Sequence, residues 1–133
     1  MVTYEVEITA FGPEGAKAKF KTTELNEVVA SIDSVSAAGG VIFVAALTAG
    51  RDHGNFYLFR NEAGLAHIML HEHREHFARD PSVQPPDGVV AFRGELGKTF
   101  FVPGETTTSW QRGKAALLHW LPSQGHWPEL NWK

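Results

Sequence analysis

The chain has 133 residues, the size of one domain, and its 43% hydrophobic and 20% charged content is that of a globular protein rather than a disordered one. Fifteen acidic against twelve basic residues give a net charge of −3, which argues against a protein that coats nucleic acid. Cysteine is absent, so disulfides, thiolate nucleophiles and cysteine-ligated zinc are excluded.

Thr3 to Ala10 alternates strictly, with Tyr4, Val6, Ile8 and Ala10 on one side, as in a half-buried strand. Glu5 and Glu7 stand where a secretory leader would be basic and then apolar, and the apolar run Val41 to Leu47 is far short of a membrane span, so a cytoplasmic protein is expected. Gly12-Pro13-Glu14-Gly15 reads as a turn, and Ala16 to Lys21 as a second strand whose lysines guard an edge. Helical spacing of Leu25, Val28, Val29, Ile32 and Val35 predicts a helix capped by Thr23 and ended by Gly39-Gly40. Val41 to Thr48 lacks polar alternation, which predicts a strand covered on both faces. Phe56 to Arg60 and Leu65 to His71 form a hairpin around Asn61-Glu62-Ala63-Gly64.

Residues 75–88 carry three prolines and read as a long functional loop. Val89 to Arg93 and Lys98 to Val102 form a further hairpin. A last helix is expected to begin near Thr107 or Thr108, to carry Trp110, Lys114, Leu117, Leu118 and Leu121 on its inner stripe with the lysine stem lying along it, and to end at Pro122 and Gly125. The tail from Trp127 to Trp132 reads as a closing strand or packed extension. This order predicts one α+β domain spanning residues 1–133: a mainly antiparallel sheet of about six strands, with two helices packed chiefly on one face.

Three histidines crowd into His71-Glu72-His73-Arg74-Glu75-His76. On a strand, His71 and His73 share a face, so His71, His73 and His76 are the candidate ligands of an alternative, metal-binding reading, whether as a binding protein or as an enzyme. The spacing matches neither orientation of the helical zinc-protease motif. His73-Arg74-Glu75 matches half of a nucleic-acid deaminase site, but the thiolates that would hold its zinc are missing. No serine lies in a nucleophile elbow, and Gly39-Gly40 follows a helix rather than opening one. All four tryptophans fall in the last 24 residues; Trp110 reads as core, whereas Trp120 lies off the apolar stripe, where it would face a partner.

In order, the chain presents helix Leu25 to Val35, strand Val41-Ile42-Phe43-Val44-Ala45-Ala46, Asn55-Phe56-Tyr57-Leu58, Gly64-Leu65-Ala66 and Phe100-Phe101-Val102-Pro103. The stretch Glu105 to Ser109 then opens helix Ala115 to Leu121, which runs into Gly125-His126-Trp127-Pro128 and a late Trp132. Over residues 24–132 this resembles family one of the immunity proteins of bacterial polymorphic toxin systems, with Trp127 standing where the family has a basic residue. The resemblance implies a non-enzymatic inhibitor, without cofactor, that binds a cognate toxin domain, often a nucleic-acid deaminase or nuclease. No contact with nucleic acid or membrane is expected of it, and oligomeric state is left open. Such a toxin carries a basic groove that carboxylates can occupy. The candidate partner-binding residues are Glu72, Glu75 and Asp80 at the start of the long loop, Asp52 and Glu62 at strand ends, and Trp120.

Overall fold

The computed structural model describes residues 1–13, 15–49 and 51–133, so the turn expected at Gly12 to Gly15 lies partly outside the described residues. The elements in chain order are β1 (Thr3–Ala10), β2 (Lys17–Thr22), α1 (Leu25–Ile32), β3 (Gly40–Thr48), β4 (Arg51–Arg60), β5 (Leu65–His71), β6 (Glu75–Arg79), β7 (Val89–Arg93), β8 (Thr99–Pro103), β9 (Thr107–Ser109), α2 (Trp110–Ser123) and β10 (Asn131–Trp132). The class is α+β, as expected, and the sheet is wider than expected. Among the described residues seven strands run in the order β10-β6-β5-β4-β3-β1-β2 and an eighth, β9, also pairs β5, while β7 and β8 form a separate hairpin. Every pairing is antiparallel.

Strand alternation sorts the side chains onto two faces. On the first face Tyr4, Val6, Ile8, Ile42, Val44, Phe56, Leu58, Ile68 and Leu70 are buried under both helices. The second face is covered only in part. Phe92 and Val102 of the β7–β8 hairpin seal Val41 and Phe59 into a smaller core, with Phe100 packed alongside. The lysines of β2 are exposed and pair back onto β1, Lys19 to Glu7 at 3.4 Å and Lys21 to Glu5 at 3.1 Å, which guards this edge of the sheet.

Helix α1 is shorter than its apolar spacing suggests. It ends at Ile32, and Val35 is buried from the turn beyond. Its N-cap is Glu24 rather than Thr23, and the Glu24 N–H donates to Thr22 Oγ1 at 2.9 Å. Helix α2 begins at Trp110, three residues after Thr107, because Thr107 to Ser109 pair with Leu65 to His67 as β9. Ser109 is the cap, its Oγ accepting from the Arg112 N–H at 3.2 Å. Pro122 lies within the last turn, and Gln124 ends the helix in the left-handed conformation.

The buried stripe of α2 is Trp110, Gly113, Ala116, Leu117, Trp120 and Leu121. The expected stripe counted Lys114 and Leu118 in place of Gly113 and Ala116, and so was rotated. The helix lies down on its small residues: a Cβ added at Gly113 would sit 2.7 Å from Ala66 Cβ and 2.9 Å from Leu58 Cδ1. The side chain of Lys114 is partly sheltered beside this stripe, and its ammonium pairs with Asp33 of the turn after α1 at 2.5 Å.

The long loop is shorter than expected. Its first five residues form β6, which pairs with β5 on one side and with β10 on the other. The aromatic tail is therefore a closing strand, and the Trp132 indole N–H donates to the Trp127 carbonyl at 2.9 Å.

Candidate functional site

The registers align side chains in rows across the second face. One row reads Lys21, Glu5, Ala45, Asn55, His71, Glu75. The next reads Lys19, Glu7, Phe43, Tyr57, Met69, Phe77. A third contains Thr9, Val41, Phe59 and His67, and it lies under the hairpin. The edge of the hairpin core reaches the next row, where Tyr57 and Met69 pack against it, so that Phe43, Tyr57, Met69 and Phe77 form a band of four half-buried apolar side chains.

Three strand spacings make this band ~14 Å wide. Phe43 and Tyr57 touch with ring centroids 4.8 Å apart, and Tyr57 stacks along Phe59 at 6.1 Å. Asn55, Tyr57, Met69, Leu70, His71 and Glu75 line a groove of about 260 Å³ beside it. Burial pushes the Tyr57 phenol up from its ordinary pKa, and the carboxylates of Glu95 and Glu7 push it further. Rigid aromatic side chains beside carboxylates are the anatomy of a protein-binding patch.

The expected partner-binding residues divide three ways. Asp52 is exposed at the start of β4, where its carboxylate accepts the Gly54 N–H at 2.8 Å, and Glu75 is exposed at the start of β6. Both lie at the end of the sheet where the β5–β6 turn carries Glu72. Glu62 is exposed at the opposite end, in the β4–β5 turn, beside a cleft of about 370 Å³ lined also by Phe11, Arg60, Asn61 and Arg93. Asp80 and Trp120 do not face a partner. The side chain of Asp80 is fully enclosed, and its carboxylate accepts from Arg112 Nε at 2.6 Å, Arg112 Nη2 at 3.2 Å, the Ser82 hydroxyl at 2.6 Å, and the Thr108 hydroxyl. Burial alone would raise its pKa; the hydrogen bonds from Arg112, Ser82 and Thr108 overcome that and hold the carboxyl well below the usual range. Trp120 is 1% exposed and packs on Phe56 at 5.5 Å, because the rotated stripe of α2 points it into the core.

The histidine cluster is also rearranged. His71 ends β5 opposite Glu75, whereas His76 pairs with Leu70, so alternation puts the two imidazoles on opposite faces. His73 is exposed in the turn between them. The donor atoms that converge, all within 4.8 Å of one another, belong to Glu72, His76 and His126. His126 Nε2 lies 2.7 Å and His76 Nε2 3.7 Å from Glu72 Oε1. His126 comes from the segment after α2, fifty-four positions from Glu72, and no local spacing could have announced it.

Six of the seven histidines gather at this end. His53 lies in the bulge of β4 beside Gly54, His71, His73 and His76 around the β5–β6 turn, and His119 and His126 beside Gly125. The seventh, His67, is 1% exposed among Phe59, Phe77, Phe92 and Phe100. A carbonyl only accepts, so its Nδ1 carries the proton that bonds the Thr106 oxygen at 3.0 Å. The sequence readily yields the charged candidates but not the apolar band, because Val41 to Thr48, apolar on both faces, reads as a strand covered on both sides.

No protein-family model matches the chain, and no curated protein matches it. Among the described residues, no helix is long and apolar enough to cross a membrane.

Proposed function

We propose that this chain is an immunity protein: it binds a cognate secreted toxin inside the cytoplasm of the producing cell and blocks it. The toxin is of a kind that acts on nucleic acid, a deaminase or a nuclease. Two independent supports converge on this reading. One is the resemblance of residues 24–132 to an immunity-protein family. The other, which carries the reading, is the half-buried band Phe43-Tyr57-Met69-Phe77, lying beside Glu7, Glu75 and Glu95.

A nucleic-acid-processing toxin presents a basic groove, and the carboxylates beside the band steer encounter with it. Phe43 and Tyr57 then serve as the desolvated anchors that hold the complex. Asp52 extends the acidic surface around the end of the sheet, while Glu72, turned toward His76 and His126, and Glu62, at the far end, lie outside the contact.

The test is co-expression with the toxin domain encoded beside this gene. Cells carrying the toxin survive with the wild-type chain and die with the Phe43→Ser/Tyr57→Ala double variant, which no longer co-purifies with the toxin although it remains folded by circular dichroism. Equal protection by the double variant would remove the band from the interface, and failure of the wild type to protect would remove the immunity reading itself.

A further inference from the structure

We infer that Glu72, His76 and His126 form a binding site for a divalent transition-metal ion of the zinc type. The donors come from two distant parts of the chain, Glu72 and His76 from the β5–β6 hairpin and His126 from the segment after α2. Their mutual separations are those of a site close to closure. A tetrahedral ion with ligands at about 2.0–2.1 Å sets ligand atoms roughly 3.4 Å apart. Here two of the separations are 2.7 and 3.7 Å and all fall within 4.8 Å, so small side-chain rotations bring the three to bonding distance.

Two imidazoles and one carboxylate are the donor set that zinc accepts while keeping a fourth position for water. The rings are already oriented. His76 and His126 meet edge to face at 5.2 Å, and Trp132 lies against His126 at 5.0 Å. The side chains of Glu72, His76 and His126 are 19%, 15% and 34% exposed, so the pocket is sheltered but open to an ion from solvent. The backbone makes room as well: at Gly54 a Cβ would stand 3.0 Å from Glu72 Cγ. The ion's structural effect is to tie the tail after α2 to the β5–β6 turn. This assignment does not depend on the toxin-binding reading.

The test uses the full chain without a histidine tag, stripped with a chelator, and titrated with zinc by calorimetry and with cobalt by visible absorption. One equivalent is expected to bind saturably, cobalt is expected to give ligand-field bands of a low-coordinate site, and zinc is expected to raise the melting temperature. Glu72→Gln and His126→Ala are each expected to weaken zinc by at least about tenfold, while His71→Ala/His73→Ala binds as the wild type. Circular dichroism checks that each variant is folded, and the partly exposed His126 serves as the probe least coupled to folding. Absence of saturable binding, binding unchanged in His126→Ala, or loss of binding in His71→Ala/His73→Ala would each overturn the assignment.

Discussion

Two buried polar residues set the pH dependence of stability. Asp80 has a folded pKa below its unfolded value, so its contribution is fully present above about pH 4 and is lost as the pH falls toward the folded value. Asp80→Asn leaves the Arg112 guanidinium without its counter-charge against an enclosed partner, and should cost about 3 kcal/mol at pH 7, read from urea unfolding. The variant should also lack the part of the acid-induced loss that Asp80 contributes below that pH. His67 acts in a higher window. Burial lowers its pKa, with the bond to the Thr106 carbonyl pulling partly back, so the unfolded chain takes up the proton first. Stability through this residue therefore falls as the pH drops below about 6.5. His67→Phe, which keeps an aromatic ring in an aromatic surround, should lose less stability than the wild type between pH 7 and pH 5. Equal losses in the two proteins would place that pH dependence on the surface histidines.

Among the elements, the strands with one polar face were legible and those decided by long-range pairing were not. The alternation of β1 is plain because Glu5 and Glu7 face outward while Tyr4, Val6 and Ile8 enter the core. β6, with the pattern Glu-His-Phe-Ala-Arg, shows no such signal; it is a strand because β5 and β10 supply partners on both sides. β9 is three hydroxyl residues held by the edge of β5, and its formation moves the start of α2 to Trp110. In α2 the inner face was misread because contact is made by Gly113 and Ala116, which hydrophobicity hardly marks, and the same rotation buries Trp120. Gly113 gives the element-scale prediction. Replacement by Ala gains about 1 kcal/mol of helix propensity but forces a methyl against Ala66 Cβ, a clash worth about 1–3 kcal/mol. Gly113→Ala should thus be destabilised by about 1 kcal/mol in urea unfolding, whereas a net gain would mean that α2 can lift from the sheet at little cost.

At the scale of the whole molecule, the sheet is unevenly clothed. Both helices cover one face, while a lone hairpin covers only part of the other and leaves the row Phe43, Tyr57, Met69 and Phe77 half-buried beside carboxylates. Composition argued against a nucleic-acid coat through net charge, and residue position singled out Asp52, Glu72 and Glu75, which gather at one end of the sheet, together with Glu62, Asp80 and Trp120, which do not join them. The apolar anchors and the junction of Glu72 with His126 depend on which strands neighbour one another, which the linear order does not specify. The account rests on that half-buried row being the toxin-binding surface. Its most direct measurement is the dissociation constant of the toxin complex by calorimetry at low and high salt, for the wild type and for Tyr57→Ala. The account predicts a loss of about 2 kcal/mol or more, some thirtyfold, in Tyr57→Ala, with wild-type affinity falling as salt rises; unchanged affinity in the variant and no response to salt would contradict it.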